Sequence, residues 1–209
     1  MAAETTVSYA AERPKAFVDA VIAIALTLLI LPLMESVGDV AAAGENTLSW
    51  FEDHRGQLVS FVLSFVLIAM FWMIHHQLFT GVHRVTSPLL WLLGAWMLTI
   101  VWLPVATAIA GHMADSDLLA RGVYIGSLTC TAILMLVVRL YLRARPELHS
   151  IGRADFVAGI SLDLSLVFLF LFALLLTIAF EALGYWALVV TVFSGLVQRL
   201  LVRALRRSV

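Results

Sequence analysis

Six long apolar stretches, separated by short polar links, dominate this sequence. A helix needs about 20 mostly apolar residues to cross the hydrocarbon core of a bilayer, and each stretch is close to that length. The pattern predicts an all-α integral membrane protein in which residues 1–209 form one domain of six transmembrane helices. These helices are expected near residues 15–35, 57–80, 88–110, 120–142, 156–180 and 184–202.

Composition agrees with this class. Hydrophobic residues make up 62% of the chain and charged residues 13%, whereas soluble domains have about 45–50% and 25%. Two local features refine the helices. Pro32 is expected to kink or loosen helix one near its far end, and the run Asp115-Ser116-Asp117 is expected to cap helix four.

Basic residues are distributed unevenly between the two ends of the predicted helices. Eleven of the thirteen Lys and Arg residues fall on the side that holds both termini, and only Arg55 and Arg121 fall on the other. Because segments rich in Lys and Arg stay in the cytoplasm, we expect a multi-pass protein of a bacterial plasma (inner) membrane with both termini cytoplasmic. Acidic residues of the opposite side, such as Glu35, Glu45 and Asp115, are either solvated loop residues or a means of concentrating cations at a pore mouth.

Ionisable side chains inside the predicted helices are candidates for function. Asp19 lies in helix one, His75 and His76 in helix two and Asp163 in helix five, all toward the cytoplasmic end. Charges in hydrocarbon are costly, but groups in contact can satisfy one another. We predict one polar network that contains Asp19 and a helix-two histidine. The alternative is that each group is satisfied separately, by snorkelling or by a backbone carbonyl.

The opposite face of helix one carries an apolar stripe, formed by Ile24, Leu28 and Leu31 at positions i, i+4 and i+7. Asp19 lies about 140° from Ile24 around the helix. A stripe of this kind is core packing in most helices, but a helix anchored to its own subunit by Asp19 has this face free for symmetry mates. Ile22, about 160° from Ile24, is expected to face lipid.

Enzyme and metal sites are not indicated. The sequence contains no HExxH, no GxSxG, no phosphate-binding glycine loop and no TVGYG filter. The adjacent His75 and His76 point about 100° apart on a helix and do not face one ion. We therefore expect no enzyme activity, no cofactor, no bound metal and no nucleic-acid partner.

The first helix also carries a family resemblance. Arg13, Phe17 and Asp19, followed by AIALTLLILPL, resemble the helix-one signature of the lysosomal potassium channel family (transmembrane protein 175 and its bacterial relatives). Val18 stands where that signature has a serine, so one hydrogen-bonding member is absent.

The second helix resembles the same family. The family motif in this helix is Trp-x-x-His-x-x-x-Phe, and Trp72, His75 and Phe79 have this spacing. In the family, the helix-one signature and the histidine form a network behind the pore. The combined prediction for this network is Arg13, Phe17, Asp19, Trp72, His75, His76 and Asp163.

What the resemblance implies is a potassium-permeable channel for monovalent cations, a homotetramer with four copies of helix one around the path. It implies a hydrophobic constriction at Ile24 and a contribution of Thr27 to potassium preference, and Leu28 and Leu31 of the apolar stripe are then expected to form further rings. The alternative for Thr27 is a hydroxyl bonded to the carbonyl of Ala23. Potassium ions and membrane lipids are the other expected partners.

Two further functions remain open at this stage. One is a proton-coupled transporter, in which Asp19, His75 or His76, and Asp163 form a relay. The other is a membrane scaffold that conducts nothing. No internal repeat is present, so a symmetric pore requires several copies of the chain.

Overall fold

The computed structural model describes residues 8–43, 46–113, 117–180 and 198, with the backbone alone for 39–43. Within these ranges the chain forms seven α-helices, two short strands and one 3-10 turn. In chain order they are β1 Ser8–Ala10, α1 Glu12–Leu28, α2 Leu31–Ala43, α3 Thr47–Asp53, α4 Arg55–Thr80, β2 Arg84–Thr86, α5 Ser87–His112, α6 Leu118–Arg143, the 3-10 turn Pro146–Leu148 and α7 Arg153–Ala179.

Five helical segments in the described part are long and apolar enough to cross a membrane. The first combines α1 with the start of α2, and the others are α4, α5, α6 and α7. Their ends lie within three residues of the predicted spans. The helical membrane fold is thus confirmed, while the predicted sixth helix, 184–202, lies outside the described residues except for Gln198. The amide of Gln198 donates to the carbonyl of Ala158 in α7.

The break between α1 and α2 has a local cause. Pro32 has no N–H, so the carbonyl of Leu28 loses the donor that an i+4 residue supplies in a helix. Helix α1 ends at Leu28 and α2 begins at Leu31. The helix is thus interrupted just before Pro32, in agreement with the prediction that this proline kinks or loosens it. Asp117, the last residue of the predicted capping run, caps α6, because its carboxylate accepts from the backbone N–H groups of Leu119 and Ala120 at 2.9 and 3.1 Å.

The long helices pack as a bundle around one apolar core. Helix α6 lies between α5 and α7, and α1 packs against α5 and α4. Large side chains such as Phe71, Trp96 and Phe170 fill the space between them and are fully buried. Among the described residues, this arrangement leaves α1 at one side of the bundle, packed mainly on α5 and α4.

A small cap of non-helical structure closes one end of the bundle, which we call the ribbon end. Strand β1 pairs antiparallel with β2, Tyr9 opposite Val85. The segment after α6 joins them, since the N–H of His83 donates to Leu148 and that of Ser150 to Gly81. This ribbon was not predicted, because three-residue strands are too short to show an alternating pattern.

Candidate functional site

Helix α1 has two faces of different burial. Val18, Ile22 and Ala25 are buried against α4 and α5. On the other side Ile24 is 59% exposed. The expectation that Ile22 faces lipid was wrong, since only 1% of its surface is exposed. The physical reason is that a helix at the side of a bundle must bury the face opposite its free one.

All three members of the predicted stripe lie on the exposed side. Ile24 and Leu28 belong to α1, and Leu31 is the first residue of α2, beyond the break at Pro32. Thr27 lies beside them, also exposed, and its hydroxyl donates to the carbonyl of Ile24 at 2.8 Å. The alternative given for Thr27, a hydroxyl bonded to a backbone carbonyl of the same helix, is thus observed, although the acceptor is Ile24 and not Ala23.

The polar anchor of α1 is a contact with α4. The indole Nε1 of Trp72 donates to the Asp19 carboxylate at 2.9 Å. The ring of His76 lies next to the same indole, with 5.6 Å between ring centroids. The predicted network between helices one and two therefore exists, but its hydrogen-bond donor is Trp72 and not a histidine.

His75 occupies a different environment. Its ring is stacked between Phe79 and Trp96, with centroid distances of 4.3 and 5.0 Å. Both ring nitrogens are buried and have no hydrogen-bond partner among the described residues. Of the two histidines left open by the sequence, it is therefore His76, and not His75, that lies beside the Asp19–Trp72 contact. His75 precedes His76 by one residue on α4, so its side chain points about 100° away from that of His76. This direction leads away from Asp19 and into the core.

Arg13 and Phe17 do not join the Asp19 contact either. Each lies about 20° from Ile24 around α1, and both side chains are exposed on the stripe side. Within the described part of the chain, Arg13 has no hydrogen-bond or ion-pair partner. The spacing of the signature itself explains this result, because residues 13, 17 and 24 share one helical face while Asp19 lies on another.

Asp163 pairs with a residue that the predictions did not include. The guanidinium of Arg139 in α6 donates to both of its carboxylate oxygens, and the pair is buried between α6 and α7. A Cβ added at Gly159 would overlap the Arg139 guanidinium, so glycine at this position leaves room for the arginine side chain. The assignment of Asp163 to the Asp19 network was wrong, since its charge is already compensated by Arg139.

A second buried polar cluster, also not predicted, links three helices. The hydroxyl of Ser64 in α4 lies 2.8 Å from that of Tyr124 in α6, and Thr107 in α5 donates to Ser64 at 2.7 Å. Hydroxyls are common in helices, so sequence alone carried no signal that these three meet. The described residues contain no group of three or more His, Cys, Asp or Glu side chains that could hold a metal ion.

Comparison with known proteins shows which family this part of the chain resembles. The family model described as the endosomal/lysosomal potassium channel TMEM175 matches residues 13–104, which include α1, the Asp19–Trp72 contact and most of α5. Through this region, the chain is similar to the TMEM175 family. The resemblance read from Arg13, Phe17, Asp19, Trp72, His75 and Phe79 is thereby confirmed.

Curated relatives match about half of the chain. A potassium channel of Chryseobacterium sp. (strain P1-3) is 30% identical over 116 residues, which are 53% of this chain and 55% of the relative. A potassium channel of Streptomyces collinus is 32% identical over 50% of this chain and 50% of its own. The endosomal/lysosomal proton channel TMEM175 of Gallus gallus is 34% identical over 51% of this chain and 22% of its own. The chain thus spans about half or less of the length of these relatives.

A solved structure shares the fold. It is the crystal structure of a lysosomal potassium-selective channel TMEM175 homolog from Chamaesiphon minutus, with a TM-score of 0.72. The similarity covers 90% of this chain and 97% of that one, at 22% sequence identity. The bundle of long helices is therefore the fold of that protein.

Proposed function

We propose that the chain is a passive channel for potassium and similar monovalent cations, built as a homotetramer. Four copies of α1 surround the path, and Ile24, Leu28 and Leu31 form its hydrophobic constriction. Thr27 adds to ion preference from the edge of the path. Branched aliphatic rings control conduction by holding the path narrow and dry, without a carbonyl filter.

The observation that carries this proposal is the division of α1 into two faces. Its back face is buried in its own subunit and anchored by the Asp19–Trp72 hydrogen bond. Its free face exposes the apolar side chains of Ile24 and Leu28, and Leu31 is exposed beyond the break, so four copies can meet along them around one axis. The two bacterial relatives named as potassium channels support potassium as the ion.

The proton-coupled relay has less support. It requires Asp163 to exchange protons with the Asp19 region, but Asp163 is held by two hydrogen bonds from Arg139 in α6. A guanidinium keeps its proton at any physiological pH and does not relay it. We therefore prefer a channel, and neither enzyme chemistry nor a cofactor enters the proposal.

Orientation and location complete the proposal. The excess of Arg and Lys at the ribbon end places that end in the cytoplasm of a bacterium, with the channel in its plasma membrane. Both termini are then cytoplasmic, as an even number of spans requires. The basic residues Arg199, Arg203, Arg206 and Arg207 that contribute to this argument lie outside the described residues, as do Glu45 and Asp115 of the opposite side.

Cysteine accessibility tests the pore assignment directly. The lone native thiol, Cys130, is exposed and is first replaced by serine. Ile24→Cys is then compared with Ile133→Cys on α6, a helix that is not among the neighbours on which α1 packs. Current is recorded in planar bilayers under a KCl gradient before and after a charged methanethiosulfonate reagent is added.

We expect ohmic current that reverses at the potassium equilibrium potential, reduced by the reagent in Ile24→Cys alone. Flux that saturates and follows a pH gradient would support the transporter instead. Absence of any flux from tetrameric protein would support a scaffold. Equal block of both variants would exclude Ile24 from the path.

A further inference from the structure

A groove at the ribbon end lies between the first turns of α1 and α5, outside the proposed constriction of Ile24, Leu28 and Leu31. It has a volume of about 910 Å³ and is lined by Tyr9, Arg13, Pro14, Leu90, Trp91 and Gly94, among others. Pockets that bind small organic ligands have volumes of about 300–1,000 Å³. The groove is therefore large enough for an ordered ligand.

Two charged side chains line this groove, the cationic Arg13 and the anionic Glu12. Arg13 has no hydrogen-bond or ion-pair partner among the described residues. The neighbouring carboxylate of Glu12 lies 3.1 Å from Lys15 Nζ and is paired there. Neither α1 nor α5 has a side-chain cap at its N-terminus, so unsatisfied backbone N–H groups add positive potential at this end.

The remaining wall is apolar and lies at the level of the membrane surface. Trp91 is 81% exposed, about one turn into α5, and tryptophan is enriched where hydrocarbon meets water. Gly94 follows nearly one turn deeper, and a Cβ added there would meet no heavy atom within 4 Å. Space is therefore open beside Gly94, and we call this apolar part of the groove its apolar channel.

We propose that this groove binds an anionic phospholipid, with its phosphate on Arg13 and one acyl chain along Trp91 and Gly94. A soluble anion would use the guanidinium but would leave the apolar wall exposed. A zwitterionic lipid would fill the wall but bring a cationic group toward Arg13. The anionic lipid matches both parts, and the other basic residues of the ribbon end attract the same lipids.

Two variants separate the two halves of this site. Arg13→Gln removes the charge, and its control is Arg153→Gln, an exposed arginine at the same end on α7. Gly94→Leu fills the apolar channel without an internal clash, and its control is Gly126→Leu on α6, where an added Cβ also meets nothing within 4 Å. Native mass spectrometry of the intact oligomer counts bound phosphatidylglycerol and phosphatidylcholine, with glycerol phosphate as a soluble competitor.

We expect the wild type to prefer phosphatidylglycerol, and Arg13→Gln to weaken its binding about fivefold, as for one surface arginine. Gly94→Leu should lower retention of both lipids, and both controls should bind as the wild type does. Unchanged binding in Arg13→Gln, equal loss in Arg153→Gln or full competition by glycerol phosphate would overturn the proposal. A smaller oligomer in Gly94→Leu would also overturn it, since the groove would then hold a second copy of the chain. The readout does not require conduction, so it stands or fails independently of the proposed channel.

Discussion

Trp72 Nε1 lies 2.9 Å from Asp19 Oδ1, and this hydrogen bond ties the helix with the free apolar stripe to its neighbour α4. Hydrogen bonds between membrane helices contribute about 0.6–2 kcal/mol each. The contact is on the side of α1 away from Ile24. It is therefore suited to holding α1 in one rotation, not to contacting ions.

Removing either partner should weaken the assembled protein. We expect Asp19→Asn and Trp72→Phe each to lower the free energy of unfolding by about 1 kcal/mol, with ion selectivity unchanged. The double variant should lose less than the sum, because both changes remove one hydrogen bond. Thermal unfolding and size-exclusion chromatography measure the loss. Trp91→Phe is the control, since that exposed indole has no hydrogen bond among the described residues. Altered selectivity in a normally assembled Asp19→Asn would place Asp19 in the ion path.

Polar substitution of the constriction should raise current. Ile24→Asn has similar bulk but offers donors and acceptors, so water should enter the ring and open probability or conductance should increase. Leu28→Asn should act in the same direction but less. Ile133→Asn is the control, because Ile133 is 41% exposed on α6. Single-channel recordings at matched protein amounts decide the matter, and equal or lower current in an intact Ile24→Asn tetramer would contradict the pore assignment.

Breaking the buried ion pair should be far more costly than breaking the Asp19 contact. Asp163→Asn leaves the Arg139 guanidinium buried without its counter-charge, which costs about 3–5 kcal/mol. The double replacement Asp163→Leu with Arg139→Met should recover much of that loss, since no charge remains. Unfolding in detergent compares both with Asp155→Asn, an exposed acid in the first turn of the same helix. A double variant as unstable as Asp163→Asn would show that the pair is not the cause.

The predicted membrane topology can be tested without recording channel activity. With eleven of thirteen basic residues on one side, reporter tags at the N- and C-termini should both be accessible only from the cytoplasm. Protease protection in inverted and right-side-out vesicles measures this. A C-terminal tag on the periplasmic side would rule out the even number of spans.

Hydropathy and local stereochemistry were sufficient for the helical elements. Long apolar runs must become helices in a bilayer because every backbone polar group needs an internal partner. The break before Pro32 and the cap at Asp117 also followed from single residues. The ribbon of β1 and β2 did not, because it depends on a pairing between distant short segments.

The sequence by itself determined the membrane class, the position of five helices and the separation of Ile24 from Asp19 around α1, since each depends on local composition or on helical periodicity. Only the tertiary structure decided which side chains meet. Trp72 rather than His75 binds Asp19, and Arg139 takes Asp163, because the rotation of each helix against its neighbours selects partners. The same packing buried Ile22, since the face opposite a free stripe is the one that its own subunit covers.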